Sequence, residues 1–236
     1  MIPPSWHLTA SAHAQAGALA QAISRDLRVA LHQRGSACLA VSGGRSPVLL
    51  LEALSRSPLP WSYITVMLVD ERCVPSNSPD SNEALIRQHL LHRAAARAHF
   101  SRPQPGPLDP STTVDVMVLG MGTDGHTASL FPDDPALSLA LDPTQAPAYL
   151  FTHPASSPWQ RLTLNLSAIT QSGCLYVAIA SAAKRVILEQ ALLTGRSGPP
   201  IGVVLNSYTA RAGLYWCPGA APGGARPPAL AGSPAP

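Results

Sequence analysis

The sequence predicts an open α/β fold, a mostly parallel sheet with helices on both faces. Apolar runs of strand length end at Val41, Val69, Leu119 and Ala180. Between them lie stretches with helical spacing, and glycine, serine or aspartate stands at most of the strand exits. Strands alternating with helices in this way build a parallel sheet covered on both sides.

The elements follow in order. Residues 9–34 predict an Ala-rich amphipathic helix, with Leu19, Ile23, Leu27 and Leu31 recurring at four-residue steps and Gly35 as its stop. A strand at 37–41 leads to a helix at 47–54, with Ser46 as N-cap and Pro47 in its first position. A second buried strand, 64–69, ends at Asp70. Residues 82–92 form a helix capped by Ser81 or Asn82. A Pro-rich connector at 101–110 precedes the strand that begins at 114. Strands follow near 149–152, 161–165 and 175–180, then a helix at 182–193 and short apolar runs at 201–205 and 213–216. The expected organisation is a single α/β domain over 1–217. The remainder, 218–236, is so rich in Pro, Gly and Ala that it is expected to form a disordered tail.

Composition narrows the function. With 46% hydrophobic and 12% charged residues among 236, a sizeable core is available. A net charge of +3 without a basic stripe argues against a nucleic-acid partner. No apolar run reaches the roughly 18 residues of a membrane span, and the N-terminus lacks a signal-peptide pattern. A reduced, cytoplasmic setting is therefore expected. Cys38, Cys73, Cys174 and Cys217 are widely spaced, and Cys38 and Cys174 lie in apolar runs as small buried hydrophobes. His89 and His92 have no third ligand near them, so no metal site is expected. The 16 cations are 15 arginines and one lysine, Lys184.

Chemistry-bearing residues gather at the strand exits, where an open α/β sheet binds ligands. Ser42-Gly43-Gly44-Arg45-Ser46-Pro47 joins a strand to a helix N-terminus, whose free amides suit a phosphate. Asp70-Glu71-Arg72 follows the second strand. The third exit, Gly120 to His126, brings Asp124 and His126 together on a glycine-rich turn. Gly120, Gly122 and Gly125 fit G-x-G-x-x-G, but Pro132 and Pro135 interrupt the helix that a dinucleotide site requires. No G-x-S-x-G elbow is present. Arg161 opens a strand and Lys184 opens a helix, so two further cations stand at the ends of elements.

Together SGGRSP at 42–47, DERCVP at 70–75 with Ser81-Asn82, LGMGTDGHTASLFP at 119–132, QRLTLN at 160–165 and the Lys184 helix resemble the 6-phosphogluconolactonases, in the family's order. The resemblance implies the Rossmann-like open sheet shared with glucosamine-6-phosphate deaminase and ribose-5-phosphate isomerase. It also implies hydrolysis of 6-phospho-D-glucono-1,5-lactone without a cofactor. On that basis His126 matches the catalytic base, with Asp124 or Asp70 assisting it. Ser42, Gly43, Gly44, Arg45, Ser46, Arg161 and Lys184 match phosphate-binding positions, and Arg72 falls in the active-site segment. The oxyanion donors are expected among the amides of the glycine turn. The related deaminases carry a glutamate five residues beyond the histidine. Here that position is Phe131, which favours the lactonase. The stretch between His92 and Val114 is short for the family, and no acidic residue follows the final tryptophan-containing strand. A small-molecule sugar phosphate is the expected partner of a monomer or small homo-oligomer. Rival readings are an isomerase or deaminase, and a non-catalytic sugar-phosphate sensor.

Overall fold

The computed structural model describes residues 3–44 and 46–219. The chain runs β1 (Ser5–Leu8), α1 (Ala12–Arg34), β2 (Ala37–Val41), α2 (Val48–Ser55), β3 (Ile64–Leu68), β4 (Asp70–Arg72) and α3 (Asn82–His89). Next come β5 (His99–Ser101), β6 (Gly106–Pro107), β7 (Val116–Leu119), α4 (Leu137–Ala140), β8 (Ala148–Thr152) and β9 (Arg161–Leu164). It continues with α5 (Leu166–Thr170), β10 (Cys174–Ala180), α6 (Ala182–Thr194), α7 (Pro200–Ser207) and β11 (Arg211–Cys217). Short 3₁₀ turns occupy Trp61–Tyr63, Arg93–Arg97 and Gly195–Ser197.

Seven strands form one parallel sheet in the order β1-β11-β10-β7-β2-β3-β5. Successive side chains of a strand alternate between its faces, and the core divides accordingly. Leu39, Val41, Val66, Leu68, Val116 and Val118 pack toward α1, α2 and α3. Ala40, Met67, Met117, Leu119, Leu175 and Val177 pack with α5, α6 and α7. The expected helix at 9–34 begins at Ala12, because Ser11 caps it by accepting from the Ala14 amide. Gly35 ends it as expected, its N–H donating to the Leu31 carbonyl. Leu19, Ile23 and Leu27 are fully buried, each worth roughly 1.5–3 kcal/mol relative to exposure.

A second, antiparallel sheet in the order β4-β9-β8-β6 leans on the first. Val69 is the crossing point: its N–H donates to Val41 in the parallel sheet, and its carbonyl accepts from Leu164 in the antiparallel one. The short segment 93–113 supplies β5 and β6, one edge strand for each sheet. Arg102 ties that segment to α3, donating from Nε and Nη2 to the Glu83 carboxylate at 2.7 Å each.

Two sequence expectations need correction, the capping role of Ser46 and the burial of Cys174. Ser46 does not cap α2: the N-cap residue is Pro47, no side chain caps the helix, and the helix proper starts at Val48. The apolar run near 201–205 is a helix, α7, opened by Pro200 in a position that needs no N–H donor. Cys174 is only half-buried against Arg211, whereas Cys38 is buried and desolvation pushes its thiol up to about 12. Arg45, expected at the phosphate, and residues 220–236 of the expected tail lie outside the described residues. Among the described residues no helix is long and apolar enough to cross a membrane.

Candidate active site

A cavity of about 630 Å³ opens where β2, β4, β7 and β9 end or begin. Its wall includes Ser42, Gly43, Gly44, Ser46, Asp70, Arg72, His126 and Arg161. Eight of the residues singled out in the sequence are thus brought together from four separate segments.

The β7 exit builds the imidazole's mount. Thr127 Oγ1 donates to the Gly120 carbonyl at 2.8 Å, and the Gly122 amide donates to the His126 carbonyl at 2.9 Å, closing a tight loop. Asp124 Oδ1 lies 2.6 Å from His126 Nδ1 and also accepts from the His126 amide at 3.2 Å. An ionised carboxylate only accepts, so Nδ1 is the donor, and in the neutral ring the free lone pair is then on Nε2. Gly122 leaves no room for a side chain: a Cβ there would sit 2.3 Å from the imidazole and 2.4 Å from Asp124 Oδ1. Gly122→Ala should therefore break the pair and lower kcat by at least tenfold while the protein stays folded; a 1 Å displacement of a reacting group can cost about 10²-fold. Steady-state kinetics with a melting curve would check it.

The antiparallel sheet supplies the cations. Arg72 and Arg161 are register partners on β4 and β9, and both line the cavity. Like charges directly opposite each other repel. Burial holds the Arg161 guanidinium below its usual pKa, Asp70 opposes that shift and Arg72 adds to it. Guanidinium forks are suited to bidentate recognition of phosphate or carboxylate, and both of these belong to one cavity wall. Arg161 Nε and Nη2 donate to Ser157 Oγ at 3.3 and 3.2 Å, and Arg72 Nη1 donates to the Asp80 carbonyl at 2.6 Å.

Asp70 is buried, accepts from Ser129 Oγ at 2.6 Å and stands 3.9 Å from Arg161 Nη1. The carboxylate on His126 is therefore Asp124, and Asp70 faces the arginine. Ser42 is also committed structurally. Its hydroxyl donates to Val118 and accepts from the Gly120 amide, joining the β2 and β7 exits. Gly43 runs against Asn82, where a Cβ would lie 2.0 Å from Oδ1. Lys184 is not on the wall: its Nζ donates to the Met121 carbonyl at 2.5 Å, behind the glycine turn, where burial lowers its pKa and Asp124 opposes the shift. Three amides of the glycine turn are already engaged within the fold. The amides of Gly120, Gly122 and Gly125 already donate to Ser42, to His126 and to Gly122.

Four contributors were not singled out for the site from the sequence. Asn82 was noted as a capping residue and as part of a resembling segment, with no role in the site. It lines the cavity, donates to the Asp70 carbonyl at 2.9 Å and accepts from Arg72 at 3.4 Å. Glu71 accepts from the Asn82 and Glu83 amides at 2.7 Å each, which fixes α3 against β4. Ser129 lies in the 119–132 segment with no role expected of it, and its partner Asp70 comes from a distant segment. Ser157 is an ordinary serine in sequence, four residues before its partner Arg161.

A family model for glucosamine-6-phosphate isomerases/6-phosphogluconolactonase matches residues 10–213. The chain belongs to that family. It is 44% identical over 200 residues to a 6-phosphogluconolactonase of Pseudomonas aeruginosa, a match covering 77% of this chain and 82% of that one. A Neisseria meningitidis 6-phosphogluconolactonase is 38% identical over 216 residues, covering 85% and 94%. The crystal structure of a 6-phosphogluconolactonase from Shewanella baltica superposes with a TM-score of 0.83 at 33% identity, covering 91% of this chain and 97% of that one. The open parallel sheet expected of this family is the one observed.

Proposed function

We propose that the protein hydrolyses 6-phospho-D-glucono-1,5-lactone to 6-phospho-D-gluconate, the lactonase step of the oxidative pentose phosphate pathway. The observation that carries this reading is the imidazole of His126, paired with Asp124, in the same cavity as the facing arginines Arg72 and Arg161. Names of relatives at 38–44% identity support the same activity.

The arginines, with the Ser42–Ser46 loop at the start of α2, receive the phosphate. That distant binding energy holds the lactone carbonyl against the attacking water. His126 Nε2 takes a proton from water as its oxygen bonds to C1. The tetrahedral intermediate then collapses, the bond from C1 to the ring oxygen breaks, and the imidazolium returns its proton to that oxygen. Asp124 holds the tautomer and stabilises the transient imidazolium. Asp70 sets the position of Arg161. General base assistance of this kind is worth about 10²–10⁴-fold.

Lys184 supports the turn in this scheme. Lys184→Ala should lower kcat more than it raises KM. A rise in KM alone would mean that Nζ leaves Met121 for the phosphate.

The direct assay uses freshly prepared 6-phosphogluconolactone, with acid production followed by pH-stat, beside ammonia release from glucosamine 6-phosphate. Lactone turnover without ammonia is expected. Ammonia release would transfer the assignment to the deaminases, and no turnover of either would favour a sensor.

A further inference from the structure

Phe131 touches both halves of the site. Its ring stacks on the imidazole of His126, with centroids 4.0 Å apart and planes 24° from parallel. The guanidinium carbon of Arg161 lies 5.2 Å from the same ring's centroid. Phe131 is buried and forms part of the cavity wall.

We infer that Phe131 is a positioning residue whose flat face sets the plane of the His126 imidazole and the place of the Arg161 guanidinium together, keeping the proton acceptor and the anion tether in register. This inference rests on the lactonase reading above. Asp124 grips the imidazole at Nδ1 only, and χ2 of histidine is a broad, soft torsion. A ring held at one atom still swings about that contact, and a stacked aromatic face restricts the swing. Arg161 is in a similar position. Its hydrogen bonds go to the single oxygen of Ser157, and Asp70 stands at 3.9 Å, so the ring face is an additional constraint on the fork. An aliphatic side chain would fill most of the same volume. It would offer no quadrupole to a cation and no plane to an imidazole.

The test compares Phe131→Leu with Phe131→Tyr, each checked for folding by its melting curve; Phe131→Met replaces the leucine variant should that one unfold. Phe131→Leu should lower kcat about 10-fold or more, a misplacement effect, with a smaller rise in KM. Its affinity for inorganic phosphate, measured by calorimetry, should weaken about 2–5-fold from the lost cation–π contact. Phe131→Tyr keeps the face and should restore both values. Wild-type kcat and phosphate affinity in a folded leucine variant would overturn the inference, as would a tyrosine variant as impaired as the leucine one. An inactive wild-type protein in the same assay would remove the lactonase reading instead. The phosphate titration would then still report whether the ring holds Arg161.

Discussion

His126→Gln should lower lactone hydrolysis by about 10²–10⁴-fold and leave the melting temperature nearly unchanged. Glutamine keeps a polar group of similar reach and lacks a nitrogen lone pair able to accept water's proton. The side chain is part-exposed at the cavity wall, so its loss opens no core void. Asp124→Asn should cost less, about 10–10²-fold, the worth of one charge-assisted hydrogen bond of roughly 1.5–3 kcal/mol. It leaves the imidazole present with its tautomer no longer fixed. Initial rates of both variants, measured at several pH values beside their melting curves, decide the matter. Near-normal turnover by His126→Gln would take the imidazole out of the reaction.

Arg161→Ala should raise KM for the phosphorylated lactone by roughly 10–10²-fold, the loss of a charged hydrogen-bond donor worth about 1.5–3 kcal/mol. The effect on kcat should be smaller, because the carbonyl and the imidazole are not touched directly. The repulsion between Arg72 and Arg161 in the empty site gives the substitution a second signature. Removing one guanidinium relieves that repulsion, yet it leaves buried Asp70 without its nearest cation. Stability should therefore change little; inorganic phosphate should raise the melting temperature of the wild type and should cease to do so in the variant. A variant that phosphate still stabilises as strongly as the wild type would place the anion elsewhere.

Much of the sheet was legible in the chain because its strands are continuous apolar runs. β2 matches its expected range of 37–41, and the strand at 64–69 differs by a single residue. β1 was not legible: Ser5–Leu8 is an edge strand with a mostly exposed pattern, and pairing with β11 is what orders it. β4 was hidden for the opposite reason. Asp70-Glu71-Arg72 reads as a solvated turn until β9 is there to pair with it. The site followed the same rule. His126 and Asp124 are two residues apart, so their contact could be anticipated from spacing. The roles of Asp70, Asn82 and Ser129 could not, since each depends on partners brought in by distant segments. Phe131 read as an absent acid; its stacking on His126 is local, whereas its contact with Arg161 appears only when β9 carries the guanidinium over the ring.

The most direct measurement of the central claim is the ratio of kcat/KM for 6-phosphogluconolactone to that for unphosphorylated gluconolactone. If one cavity holds both the proton acceptor and the arginine pair, the wild type should prefer the phosphorylated lactone by at least 10²-fold, as two charged contacts require. Arg161→Ala should lose most of that preference, and His126→Gln should slow both substrates while preserving it. Equal turnover of the two lactones by the wild type would contradict the account.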